Sequence, residues 1–115
     1  MADCIFCRIA AGEVPAEIVA RGEDAVAFRD LNPQAPTHVL VIPLTHLANA
    51  MAADSEAGER VLGSVLRFAV QVARQLGLAD DGYRLVLNNG PNGGQSVDHL
   101  HVHILGGRRM KWPPG

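Results

Sequence analysis

The sequence predicts an α+β domain: a mostly antiparallel five-stranded sheet with one long helix and one short N-terminal helix. Three observations carry this. Five short runs rich in β-branched or alternating apolar residues are separated by turn signals. A single stretch shows apolar residues recurring every three or four positions over several turns. The chain has 115 residues, enough for one core and too few for a second folding unit. Strands interrupted by one helix, rather than alternating with several, favour antiparallel pairing.

Taken in order, residues 4–12 place Ile5, Phe6 and Ile9 at near-helical spacing and stop at Gly12, which predicts the short helix. Ile18 to Arg21 and Ala25 to Arg29 flank Gly22-Glu23-Asp24, the pattern of an antiparallel hairpin. A loop with Pro33 and Pro36 follows. His38-Val39-Leu40-Val41-Ile42, closed by Pro43, reads as a central strand covered on both faces. Asp54 or Ser55 then caps the long helix, with Glu56 and Glu59 at its positive end. Its apolar stripe runs through Val61, Leu62, Val65, Phe68, Ala69, Val72, Ala73 and Leu76 to a stop at Gly77. Tyr83 to Leu87 is the fourth strand, residues 88–94 are a polar glycine-rich loop, and Leu100 to Leu105 is the last strand.

A formal net charge of -2 gives no overall pull toward nucleic acid or an anionic membrane. Arg108, Arg109 and Lys111 form a local basic cluster that reads as a solvated terminal segment. No apolar run has the length of a membrane span, and Met1-Ala2-Asp3-Cys4 lacks the basic and apolar regions of a secretory leader. A cytoplasmic location is the expectation. In a reducing compartment the two cysteines, Cys4 and Cys7, are poor candidates for a structural disulfide, which raises metal binding and leaves free thiols or a redox pair as alternatives.

Three of the five histidines fall at positions 99, 101 and 103, alternating with Leu100, Val102 and Ile104. Strand periodicity puts the imidazoles on one face and the aliphatics on the other, with neighbours on a face about 6.8 Å apart. The expected arrangement is a row of imidazoles along one side of a ligand. Upstream, Gly93-Gly94-Gln95-Ser96 offers backbone N–H groups free of bulky side chains, a candidate anion nest. A phosphate seated there with its phosphorus facing His101 would be open to attack by a neutral imidazole. A solvated polar strand face is the bland alternative. Three histidines on one strand diverge too far to close around a single metal ion, although one end of the row could contribute a ligand.

These residues resemble the histidine triad (HIT) family, and specifically its branch of nucleotide-binding nucleoside phosphoramidases. The resemblance spans nearly the whole chain: Cys4-Ile5-Phe6-Cys7, Ala27-Phe28-Arg29-Asp30-Leu31, Gln34-Ala35-Pro36-Thr37-His38, Leu40-Val41-Ile42-Pro43, Gly94-Gln95-Ser96, the triad, and Trp112-Pro113-Pro114-Gly115. It implies a single HIT-like domain over residues 1–115. It makes His101 the nucleophile that is transiently nucleotidylated. His103 would contact the phosphate and assist at the leaving group, and the main chain at His99 would fix the His101 tautomer.

By the same resemblance Asp30 would accept from the ribose hydroxyls, Leu31, Phe6 and Val14 would line an apolar slot for the base, and Asn88, Gly94, Gln95 and Ser96 would hold the phosphate region. Trp112 belongs to a tail, residues 106–115, that implies a homodimer and shapes substrate preference. Cys4, Cys7, His46 and His99 complete a Cys2His2 set as in relatives that bind structural zinc; no organic cofactor is implied. Asp98 departs from the family's usual aromatic residue, and a carboxylate there would raise the pKa of neighbouring imidazoles. The implied activity is hydrolysis of purine nucleoside 5'-phosphoramidates, with an AMP-like nucleotide as ligand. The rivals are dinucleoside polyphosphate or acyl-adenylate hydrolysis and, in a different class, a nucleotide-binding regulatory or scaffold protein with incidental turnover.

Overall fold

The structure, a computed structural model, describes residues 3–115; Met1 and Ala2, on which the leaderless reading of the N-terminus partly rests, lie outside it. The elements are α1 (Ile5–Ala10), β1 (Ile18–Arg21), β2 (Ala25–Arg29), β3 (Thr37–Pro43), α2 (Glu56–Gln75), β4 (Arg84–Val86) and β5 (Val102–Gly106), with a 3-10 turn at Pro91–Gly93. All strands are antiparallel to their neighbours in one sheet ordered β1-β2-β3-β5-β4. The predicted α+β class, strand count and two helices are those observed.

Strand alternation sends the central strands' side chains to two separate cores. Ala25, Ala27, Val39, Val41, Val102 and Ile104 face α2, where Val65, Ala69, Val72 and Ala73 meet them. Alanines stand on both sides of this contact, so the helix can lie close to the sheet. Val26, Phe28, Leu40 and Ile42 face the other way and pack against Phe6 and Ile9 of α1. β3 is therefore covered on both faces, as its unbroken apolar run requires.

Helix α2 starts where Ser55 accepts from the Gly58 N–H at 3.0 Å. Gly58 is needed there, because a Cβ would lie 2.6 Å from the Ala53 backbone. Two expected strands are shorter than predicted: the fourth is Arg84–Val86, and the last begins at Val102 rather than Leu100. The residues before Val102 are held by other contacts, the Leu100 N–H donating to the Leu47 carbonyl at 2.6 Å. Among the described residues no helix is long and apolar enough to cross a membrane.

Candidate functional site

On the α1 face of the sheet a cavity of about 270 Å³ opens between α1, the end of β2 and β5. Its walls include Phe6, Phe28, Leu40, Asp30, Leu31, Ser96, His101 and His103. Leu31 is 99% exposed, an apolar side chain left at the rim for something other than the core. Val14 is not part of this wall; it packs behind Phe6 and Ile9, and Ile5, Pro15 and Ala16 stand in its place.

His103 on β5 and His101 just ahead of the strand project onto the cavity face, their ring centroids 5.0 Å apart. His101 Nδ1 lies 2.8 Å from the His99 carbonyl, which can only accept, so Nδ1 carries the proton and Nε2 keeps its lone pair. Phe6 sits edge-on to the His101 ring at 5.2 Å and limits its rotation.

A fourth histidine determines what His103 presents. His38 Nδ1 accepts from the Gln34 N–H at 3.0 Å, which leaves its proton on Nε2. That nitrogen is 2.9 Å from His103 Nδ1, so His38 donates and His103 carries its own proton on Nε2. His103 Nε2 is buried with no partner, an N–H group waiting for an acceptor. Strand register explains the contact: β3 residue Leu40 faces His103 and His38 faces Leu105, which makes His38 and His103 diagonal neighbours on one face. The sequence reading missed this role for His38, taking it as the first residue of an aliphatic strand. A polar residue opening such a run was the available signal.

Burial pushes His103 down to about 4, helped by the nearby charges of His101 and His38 and opposed by Asp30. Burial also lowers His38, again against Asp30, and lowers His99. The upward shift expected from Asp98 is not found: burial lowers His38, His99 and His103, Asp98 is not among the groups acting on them, and it lines a different cleft beside Cys4 and His46. Asp30 Oδ1 accepts from the Asn32 N–H at 2.8 Å in a local turn while Oδ2 lies 3.4 Å from His38 Nε2. It is both a turn former and a cavity wall.

Two expectations about the site need correction. The three triad imidazoles do not form one row. His99 precedes the strand, and its ring is fully buried away from the cavity, among Cys4, Cys7 and His46. Nor does the glycine-rich loop present a free nest, because the N–H groups of Gly93, Gly94 and Gln95 already donate to Gly90 or Pro91 carbonyls within the 3-10 turn. The Gln95 side chain braces that loop, donating to Ala48 and Val97 carbonyls and accepting from Gly90. Ser96 alone of this stretch reaches the cavity. Asn88 lies instead in a groove with Arg84 and the C-terminal tail, and Trp112 is 80% exposed with the Arg84 guanidinium 5.9 Å from its ring.

The second centre is the Cys4, Cys7, His46 and His99 cluster, whose ligand atoms lie within 4.8 Å of one another. His99 Nδ1 is 3.3 Å from Cys4 Sγ, 3.5 Å from Cys7 Sγ and 3.0 Å from His46 Nδ1, and His46 Nδ1 is 3.3 Å from Cys7 Sγ. A tetrahedral zinc ion spaces its nitrogen and sulfur ligands about 3.3–3.8 Å apart, given metal–ligand bonds of about 2.0–2.3 Å. The three nitrogen–sulfur distances fall in that window and the two nitrogens stand about 0.3 Å closer than it, so the donors fit such an ion with a small separation of the two rings. His99 Nε2 donates to the Pro43 carbonyl at 3.0 Å, which frees the Nδ1 lone pair toward the cluster and supplies the outer-shell contact typical of metal histidines. Burial pushes the Cys7 thiol up, with Cys4 adding to it, a cost that a cation would reverse. Asp30, His38 and His103 form another close group. They do not fit a metal, because His38 accepts at Nδ1 and so holds a proton on the nitrogen that would have to ligate.

This fold and paired-histidine cavity define a class, and the HIT domain matches residues 11–110. The chain belongs to the HIT family, and its fold is that of HIT family hydrolases. A "14 kDa zinc-binding protein" of Zea mays is 53% identical over 116 residues, covering 96% of this chain and 87% of its own length. A HIT family hydrolase from Legionella pneumophila superposes with a TM-score of 0.93 at 47% identity, over 98% of this chain and all, 100%, of that one. A histidine triad nucleotide-binding protein from Candida albicans superposes at 0.76 with 29% identity, over 96% of this chain and 83% of that one.

Proposed function

We propose that this HIT protein hydrolyses purine nucleoside 5'-phosphoramidates through a nucleotidylated His101. The observation that carries the reading is the pair of fixed tautomers, His101 with a lone pair on Nε2 beside His103 with an unpartnered N–H. One imidazole is set to attack phosphorus, the other to donate to a phosphate oxygen as charge develops on it. Asp30 at the cavity edge suits ribose hydroxyls, and the apolar wall of Phe6, Phe28 and Leu31 suits a base.

In the first step the His101 Nε2 lone pair forms a bond to phosphorus, the P–N bond breaks, and the amine leaves with a proton taken from water. Water then attacks the adduct, releasing the nucleoside monophosphate and restoring His101. His103, neutral at pH 7, acts as a hydrogen-bond donor. His38 orients it and does not feed it protons, since a backbone N–H already occupies His38 Nδ1 and has none to give.

The cluster at α1 is read as a structural zinc site held by Cys4, Cys7, His46 and His99, supported by its donor geometry and by the name of the maize relative. Bound there, zinc would supply rigidity to α1 rather than chemistry to the substrate. Free Cys4 and Cys7 suit a reducing compartment such as the cytosol. A homodimer fits the edge position of β4, the part-exposed Leu66 and Val70 on α2, and the exposed Trp112 in the tail.

The decisive experiment is turnover of adenosine 5'-phosphoramidate by wild type and His101→Ala, with mass spectrometry of quenched wild type. Turnover and an adduct on His101, both lost in the variant, support the reading. Equal turnover in the variant overturns it. No turnover in either, with AMP still binding, shifts the assignment to a nucleotide-binding partner protein.

A further inference from the structure

We propose that the Cys4, Cys7, His46 and His99 cluster is an oxidant-sensitive clasp on the nucleophile: peroxide joins Cys4 to Cys7, expels the metal ion and loosens the seat of His101. The proposal rests on the phosphoramidase reading for its rate measurement and on the zinc reading for its cargo.

Two contacts connect the cluster to the chemistry. His99 belongs to both: its ring stands among the cluster donors, and its carbonyl holds His101 Nδ1 at 2.8 Å. Phe6 lies between the two cysteines in sequence, and its ring meets His99 at 6.0 Å and His101 at 5.2 Å, both edge-on. Helix α1, which carries Phe6, is six residues long and has only Phe6 and Ile9 buried. A helix of that length does not sustain itself in water, so its position depends on its anchors. Losing the sulfur anchors therefore disturbs the carbonyl that sets the nucleophile's tautomer and the ring that limits its rotation.

The cluster is also open to attack. A cleft of about 690 Å³, with Asp3 and Asp98 among its walls, reaches Cys4 and His46 from solvent, and both cysteines are partly exposed. Four protein donors leave a zinc ion no open position for a reactant, so an oxidant arriving through this cleft meets the sulfurs. Cys4 caps α1, and its sulfur accepts from the Cys7 N–H at 3.3 Å. Residues three apart at a helix start have Cα atoms about 5 Å apart, inside the range a disulfide spans.

The chemistry closes with peroxide as oxidant. One thiolate attacks an oxygen of hydrogen peroxide, the O–O bond breaks, and a sulfenic acid and hydroxide form. The second thiolate attacks that sulfur, the S–S bond forms, and a second hydroxide departs. Both hydroxides take protons from solvent to become water. The two electrons lost by the sulfur pair are those the peroxide gains, and the cation leaves with its own charge.

The test uses zinc-loaded protein treated with graded hydrogen peroxide. Zinc release is followed with a chromogenic chelator, the disulfide by mass after alkylation, and the His101 and Phe6 ring signals by NMR, alongside turnover. The expected result is one zinc released and one disulfide formed per chain in step, with shifted His101 and Phe6 signals. Turnover should fall on the order of a hundredfold, the loss that an ångström-scale misplacement of a reacting group produces. Dithiothreitol and zinc should restore all of them. Cys7→His keeps four ligands but cannot form the pair; it should retain its zinc in peroxide and lose none of its own starting rate. Zinc release without change in the ring signals overturns the clasp, as does disulfide formation with the metal retained. If untreated protein does not turn over the phosphoramidate, that reading fails by itself, and the ring signals still decide the clasp.

Discussion

Replacing His38 with alanine isolates the orienting contact beneath the catalytic pair. The change removes the N–H that donates to His103 Nδ1 at 2.9 Å and leaves that nitrogen without its partner. His103 then loses the bias that keeps its proton on Nε2, the atom that faces the phosphate in the proposed reaction. An orphaned buried acceptor costs about 1–3 kcal/mol, and if that cost falls on the transition state, about 1.4 kcal/mol per factor of ten gives a loss of about 5- to 150-fold in kcat. The base contacts are untouched, whereas Asp30 Oδ2, 3.4 Å from His38 Nε2, loses a neighbour, so kcat rather than KM is the readout. His38→Gln supplies a check, because the glutamine amide reaches the same region and offers an N–H; it should recover part of the loss. Steady-state rates on adenosine 5'-phosphoramidate read this directly. A kcat within twofold of wild type for His38→Ala, in protein shown by circular dichroism to be folded, would refute the tautomer argument.

Three other outcomes are expected. Asp30→Asn keeps the local turn to Asn32 but removes the charge, and it should raise KM for ribonucleoside substrates about tenfold, the difference between charged and neutral hydrogen bonds, while affecting a 2',3'-dideoxy substrate far less. Stability should fall with acid in a defined window: His103 and His38 are held neutral in the fold, so the unfolded chain takes up protons first once pH drops below about 6.5. Thermal unfolding temperature should therefore decline from about pH 6.5 to about 4, and a flat profile across that range would contradict the burial of these rings. Gly58→Ala forces a methyl to within 2.6 Å of the Ala53 backbone and should cost about 1–3 kcal/mol in chemical denaturation with kcat unchanged.

What was legible in the sequence was what depends on periodicity. The stripe on α2 and the alternation in β5 specify which side chains go inward, and the aliphatic ones occupy the core between sheet and helix. His101 and His103 followed from the same alternation. His99 did not, because it lies three residues ahead of β5 and its direction is decided by partners far away in sequence, Cys4, His46 and the Pro43 carbonyl. The supposed anion nest failed for a related reason: glycine content signals available N–H groups, but only the folded turn shows that Gly90 and Pro91 carbonyls have taken them. His38 was hidden by its neighbours, since a histidine heading Val-Leu-Val-Ile looks like the edge of a strand until register places it diagonal to His103.

The pairing of Leu40 with His103 and of Val41 with Val102 makes the site a matter of parity. Adding or removing one residue between His101 and His103 would turn an imidazole into the α2 core and push an aliphatic side chain into the cavity, so one inserted codon there would cost both chemistry and folding at once. An insertion among exposed residues 91–94, ahead of the Leu100 contact with Leu47, changes no strand's odd-even phase. Length variation in this protein is thus confined by counting: loops between the elements can lengthen or shorten, while β3 and β5 tolerate changes only in steps of two.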